Sequence, residues 1–469
     1  MSDVAERPRR IFLGVVVAFS LLAFTAFAIG LHKANRTTLR GDEVFTLTEI
    51  LRAQSLESLI LKGAVPQVSP APLFYLADLS MEACRERVSY LGLTPQGYLR
   101  LPSLLFTTGL AFGAALVVGL KIRRQGDSPL QYLFVLCGLA IFLFHPKVFA
   151  FAGTERPYGL WTGLWLFALA WLLGRPPSPW IPLLILTLLA ATATAACFQI
   201  LAVGIALVVV RRAEGRSAKE ILREGARMLA LPAVVGAYYA LRSVDASYEE
   251  LSYGEKTPHF LRFWLLSNLH VWIAGGVMTW LALKRPALRE LALPPVALTA
   301  LILVMPLIFT LAHMKGYTMP SRQYLWTATA VPLACFFAAI AWPELKPTRY
   351  LRVVAVVAAL AVVAGNLYAT FSRPLRNDSR DLALLEKDSA LMVTLRTERP
   401  KSFLCNLDRI EDKNLRLIMD WIDHRFGHLR AGNREFFILD RNGRLEAELR
   451  GEAWPKEFEK GMMSYPFPD

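Results

Sequence analysis

Apolar runs of roughly 20 residues, the length a helix needs to cross a hydrocarbon core, recur between residues 11 and 370 and are separated by short polar stretches. The pattern predicts an all-α polytopic membrane bundle. The period-two alternation of a membrane barrel is absent. About eleven spans are expected, near residues 11–31, 101–120, 130–144, 158–173, 180–195, 197–210, 228–241, 263–283, 291–312, 324–342 and 353–370. The first is too long, and lacks the small-residue cleavage site, for a removed signal, so it reads as an anchor.

The polar stretches then orient the chain. Arg7, Arg9 and Arg10 precede the first span, Lys121, Arg123 and Arg124 follow the second, and the loop 211–227 carries six basic residues. By the positive-inside bias these ends face the cytoplasm. The N-terminus is then cytoplasmic, and an odd span count leaves residues 371–469 outside. The first outer loop, 32–98, is the longest polar excursion before the last span. Helical periodicity within it, at Glu43–Leu61 and Leu73–Arg87, suits short amphipathic helices in the interface or plain loop helices. The tail reads as a small α/β domain: strands at Ser402–Asn406, Glu435–Leu439 and Leu445–Leu449, a helix at Lys413–Phe426, and an Asn442-Gly443 hairpin turn. This divides the chain into a membrane domain, 1–370, and a soluble domain, 371–469, expected in the periplasm of a bacterium whose inner membrane holds the bundle.

Composition agrees, with 54% hydrophobic and only 19% charged residues. The net charge of +14 is uneven: residues 371–469 hold 18 basic and 18 acidic side chains, and residues 1–370 hold 34 against 20. The excess follows the membrane loops, so anionic lipid and the positive-inside bias explain it and nucleic acid does not. Of five cysteines, Cys137, Cys197 and Cys335 fall in spans, as small buried hydrophobes do. Cys84 and Cys405 lie in polar segments on one side, where a disulfide is open.

Three polar constellations sit on the outer face. Arg40-Gly41-Asp42-Glu43 follows the first span, and a carboxylate there can serve as a general base if its surroundings tune it; a local salt-bridge cluster with Arg40 fits equally. Thr154-Glu155-Arg156-Pro157-Tyr158 opens the fourth span, preceded by His145 and Lys147; charges at that depth suit a cavity or a snorkelling pair. Pro320-Ser321-Arg322-Gln323-Tyr324 opens the tenth span with an arginine that runs against the positive-inside trend. Guanidinium matches phosphate bidentately, and an anchoring Arg-Tyr belt is the alternative. No Gly-rich ATP loop is present.

The Asp-Glu pair after the first span, Pro70-Ala71-Pro72-Leu73-Phe74-Tyr75, Arg100-Leu101-Pro102-Ser103, Glu155-Arg156-Pro157-Tyr158 and Arg322-Gln323-Tyr324 with Pro332 occur in an order that resembles the GT-C superfamily of membrane glycosyltransferases. The branch is the one holding bacterial protein O-mannosyltransferases and lipid A aminoarabinose transferases. The likeness covers residues 1–345. Two departures are Ala71 between the prolines and Gln323 between Arg322 and Tyr324.

The resemblance implies a GT-C bundle and a polyprenyl-phosphate-linked sugar donor. It also implies inverting transfer on the periplasmic face to a lipid, glycan or protein hydroxyl. Asp42 would be the catalytic base, with Glu43 beside it. Glu155 would position the acceptor or a metal, and Arg156 and Arg322 would hold the donor phosphate. Lys147 and Arg40 extend the phosphate-binding set, and Tyr75, Tyr158, Tyr324 and His145 the substrate-binding set. Asp42, Glu155 and His145 could bind a divalent metal ion; no other cofactor is expected.

Two other classes fit less of the pattern. A transporter or flippase of a lipid-linked or anionic substrate would put ionisable groups deep in the spans or break helices at midplane. Here the charges gather at the outer mouth. An acyl or phosphoethanolamine transferase would want an embedded histidine, for which His270 is the one candidate.

Overall fold

A computed structural model describes residues 3–37, 43, 71–77, 80–81, 89–126, 128–174, 180–244, 266, 268–314, 321–372, 402–406, 435–439, 445–450 and 462–466. Helix α1 (Asp3–Ala34) leads to the short α2 (Pro95–Leu99), then α3 (Leu101–Gln125), α4 (Pro129–Leu143), α5 (Pro146–Ala152) and α6 (Tyr158–Gly174). Next come α7 (Trp180–Ala190), α8 (Ala196–Ala213), α9 (Ala218–Val244) and α10 (Leu269–Lys284). The bundle closes with α11 (Leu293–Met314), α12 (Ala330–Leu345) and α13 (Arg349–Phe371).

Among the described residues, five helical stretches are long and apolar enough to cross a membrane: Ile11–Ala34, Gly97–Gln125, Ala196–Ala213, Tyr324–Leu345 and Arg349–Phe371. The pair α4 and α5, bent by 61°, makes a sixth if it is one broken span. Four apolar helices, α6, α7, α10 and the Leu293–Met305 part of α11, are shorter, at 10–17 residues. The chain is a helical membrane protein.

Three elements depart from the hydrophobic pattern. The outer stretch expected as a loop, His145–Pro157, contains α5: Pro146 stands in the first turn, where its missing N–H costs nothing. Helix α9 begins at Ala218, ahead of the expected 228. Ser217 caps it, with the Glu220 carboxylate accepting from the Ser217 N–H at 2.9 Å and the Glu220 N–H donating to Ser217 Oγ at 3.4 Å. The tenth span was expected as α-helix from Tyr324, but Ser321–Thr329 is 3₁₀-helix and α12 starts only at Ala330. Pro332 explains the delay: it cannot donate to the Ala328 carbonyl and its ring crowds it. The hydroxyls of Thr327 and Thr329 also bond back three residues, to the carbonyls of Tyr324 and Trp326.

The core positions the site through close helix contact. Helices α3 and α6 run side by side in the same direction, Gly159 lying beside Ser103 and Thr107, and Gly174 beside Val117. A Cβ at Gly159 would collide with Thr107 Oγ1, so only glycine allows this approach. Polar side chains stitch helices together inside the apolar core. Trp161 Nε1 donates to Gln199 Oε1 at 2.7 Å, and Gln131 Nε2 to the Ala339 carbonyl at 2.8 Å. Asn366 Nδ2 donates to the Ile141 carbonyl at 3.0 Å. Such bonds add about 1 kcal/mol each where lipid offers no partner.

In the tail, the three expected strands are present: β1 (Ser402–Asn406), β2 (Glu435–Leu439) and β3 (Leu445–Arg450). A fourth, β4 (Met462–Pro466), was not expected. They form one sheet in the order β3-β2-β1-β4. The β1–β2 pair is parallel, which requires a crossover, and the other pairs are antiparallel. The helix expected at Lys413–Phe426 lies outside the described residues, as do those at Glu43–Leu61 beyond Glu43 itself and at Leu73–Arg87 beyond 73–77 and 80–81.

Candidate active site

The end of α1 is tied to the start of α3. Asn35 Oδ1 accepts from the Thr94 N–H at 2.7 Å and from Thr94 Oγ1 at 2.8 Å, which fixes the entry into α2. Arg100 follows α2 and caps α3, and its side chain is almost entirely buried. Nη1 donates to the carbonyls of Ala34 and Thr37, both at 2.7 Å, and to Thr37 Oγ1 at 2.9 Å. The other edge of the guanidinium grips Glu43: Nε to Oε1 at 2.7 Å and Nη2 to Oε2 at 2.8 Å. This is the bidentate geometry that gives an arginine–carboxylate pair direction as well as strength.

Glu43 Oε1 also accepts from the backbone N–H of Glu155 at 2.7 Å. Both Glu43 and Glu155 are fully buried. The turn 153–157 is shaped by Thr154, whose hydroxyl donates to the Phe151 carbonyl at 2.7 Å, and by Ser103 Oγ, which donates to the Arg156 carbonyl at 3.2 Å. The Arg156 guanidinium lies 5.5 Å from the Tyr158 ring centroid. One carboxylate therefore binds the stretch after α1, the head of α3 and the turn before α6 at a single point. A cavity of about 40 Å³ lies against Arg100, with Lys33, Thr37 and Thr154 in its wall. It has room for a water-sized group.

Glu43 was expected beside the base as a catalytic group. Both its oxygens are engaged, by the Arg100 guanidinium and the Glu155 N–H. Tyr75 and Tyr324 are buried in the core, at 1% and 4% exposure. The segment Ser321–Thr329 packs on α5 and α6, so Tyr324 belongs to the same end of the bundle as Glu155. Asp42 and Arg40 lie outside the described residues, as does the side chain of Arg322.

His145 occupies the turn between α4 and α5, and among the described residues its Nδ1 has no hydrogen-bond partner. Burial, aided by His270 and Lys147, lowers its imidazole to about 4, so it is neutral at physiological pH. Lys147 is also lowered, by burial. His270 is exposed in the first turn of α10. No three His, Cys, Asp or Glu side chains converge as a metal site among the described residues.

Arg100 went unassigned as a site residue in the sequence. The signal was present: an arginine at the outer mouth of a span opposes the positive-inside trend as Arg322 does. The pattern could not say that its partner would be Glu43.

No family model matches this chain, and no curated protein matches it. Among solved structures it is similar to the crystal structure of ArnT from Cupriavidus metallidurans bound to undecaprenyl phosphate, with 16% identity, a TM-score of 0.39, and coverage of 82% of this chain and 70% of that one.

Proposed function

We propose that this protein is an inverting glycosyltransferase that moves a sugar from a polyprenyl-phosphate donor to a hydroxyl on a glycan, lipid or protein. The reaction is placed at the periplasmic face of a bacterial inner membrane. The observation that carries the reading is the Glu43 carboxylate, which holds Arg100 and the Glu155 backbone together at one end of the bundle. Three of the motifs that matter to this chemistry thereby share one rigid point.

In this reading Asp42, the sequence neighbour of that clamp, is the general base. It takes the proton from the acceptor hydroxyl as the oxygen attacks the anomeric carbon from the face opposite the leaving group. The bond from that carbon to the phosphate oxygen breaks, its electron pair stays on the phosphate, and the centre inverts. Arg156 and Arg322, with Lys147 and Arg40 near the same mouth, stabilise the leaving phosphate. Glu155 positions the acceptor, and Tyr158, Tyr324, Tyr75 and His145 shape the pocket. A membrane domain of about eleven spans over 1–370, with the N-terminus cytoplasmic and a soluble domain 371–469 in the periplasm, completes the proposal.

The test is mass spectrometry of lipid-linked sugars in a strain deleted for this protein. A polyprenyl-phosphate sugar should accumulate, wild-type protein should clear it, and Asp42→Asn made at the same level should not. No accumulation overturns the donor class, and clearance by Asp42→Asn overturns the base. Substrate crossing proteoliposomes without sugar transfer would instead establish a transporter.

A further inference from the structure

A second cavity, of about 490 Å³, lies at the opposite end of the bundle from Glu43 and Arg100. It falls within the roughly 300–1,000 Å³ of small-molecule sites. Its inner wall is apolar, made by Trp171 and Leu172 of α6, Pro182 of α7 and Leu293 of α11. Trp171 lies 13 residues along α6 from Tyr158, about 20 Å at the helical rise. The outer wall is the first half of α9, which brings Arg223 and Arg227 on one face and two carboxylates, Glu220 and Glu224.

The carboxylates are already used. Glu220 accepts from the N–H and hydroxyl of Ser217, and those bonds hold its carboxyl below the usual range. Glu224 is taken by the buried Arg211, at 2.8 Å from Nε, and by Arg216 at 3.6 Å; Arg211 is also held by Glu214 at 2.9 Å. Among the described residues no carboxylate lies within ion-pair distance of Arg223 or Arg227. The cavity therefore offers two exposed guanidinium groups with no carboxylate partner among the described residues, above an apolar floor.

Its depth fits a lipid. One turn beyond Arg227, the outer face of α9 becomes apolar and open, with Leu231, Val234 and Leu241 exposed. Arg223 and Arg227 thus stand where a bilayer's hydrocarbon gives way to its phosphates, and long basic side chains reach that plane readily. We infer that this cavity binds an anionic phospholipid, its phosphate between Arg223 and Arg227 and its acyl chains leaving along α9. This site is remote from Glu43 and Arg100, so it stands or falls separately from the transferase reading.

The test is native mass spectrometry of the full-length protein titrated with dioleoyl phosphatidylglycerol or dioleoyl phosphatidylcholine. Wild type should retain one phosphatidylglycerol up to about thirtyfold more strongly than phosphatidylcholine, the scale two interfacial arginines supply. The double variant Arg223→Gln/Arg227→Gln should lose that preference. Arg212→Gln, an exposed arginine outside the cavity wall, should keep it. Millimolar inorganic phosphate should not displace the lipid. Equal retention of both lipids by wild type overturns the proposal without any variant. A preference that survives the double variant, or that Arg212→Gln abolishes, overturns the site. Displacement by inorganic phosphate would make it a free-anion site.

Discussion

Replacing Arg100 by methionine should be among the most damaging single changes in the membrane bundle. The Glu43 and Arg100 side chains are 1% and 2% exposed. Removing the cation leaves a buried carboxylate that still accepts from the Glu155 N–H. Breaking a buried pair from one side costs roughly 3–5 kcal/mol. The carbonyls of Ala34 and Thr37 would also lose the donor that ties α1 to α3. Arg100→Met should therefore cost about 4 kcal/mol, and Glu43→Leu a similar amount.

The double variant removes both charges and should recover to within about 2 kcal/mol of wild type, the remainder being the bonds that the Glu155 N–H and the Ala34 and Thr37 carbonyls no longer make. Arg100→Lys keeps the charge but not the planar fork and should fall between. Equilibrium unfolding in mixed micelles, followed by tryptophan fluorescence, measures all four. If Arg100→Met lost under about 1 kcal/mol, or if the double variant were as unstable as the two singles added, the pair would not be the buried clamp described.

Other consequences can be checked separately. Arg322→Ala should raise KM for the polyprenyl-phosphate donor; a change confined to the acceptor would remove Arg322 from the phosphate. Gly159→Val should force α3 and α6 apart and lower stability by about 1–3 kcal/mol in the same unfolding experiment, whereas Gly14→Ala, which meets open space, should change little. His145, with its imidazole lowered from 6.5 to about 4, takes up a proton more readily unfolded than folded. Stability should thus be lost as pH falls from 6.5 through 4, by roughly 3 kcal/mol when complete. His145→Phe should flatten that part of the profile, and an unchanged slope would mean that another group titrates there.

The apolar runs made most of the bundle legible, because a span must hide its backbone bonds and little else can. What they concealed was local chemistry. Asp42 and Glu43 are equivalent as adjacent acids, and only burial shows that Glu43 is consumed by Arg100. The 3₁₀ segment ahead of α12 was readable in principle from Pro332, yet the apolar pattern alone runs straight through it. Helix α5 was hidden in a stretch too short for a span and too apolar for a plain loop. Strand β4 escaped because Met462–Pro466 has little β-branched content to mark it.

The Glu43 clamp also dates its own assembly. Its carboxylate lies 57 residues before Arg100 and 112 before the Glu155 N–H that it accepts. During synthesis α1 enters the membrane first, and Glu43 must wait for the head of α3 and then for the turn before α6. The contact can close only once α3, α4 and α5 have been threaded. Its formation therefore marks the moment when the end of α1, the head of α3 and the turn before α6 have met. A chain arrested before residue 155 would carry an acid with one engagement missing, and so a built-in sign of unfinished insertion.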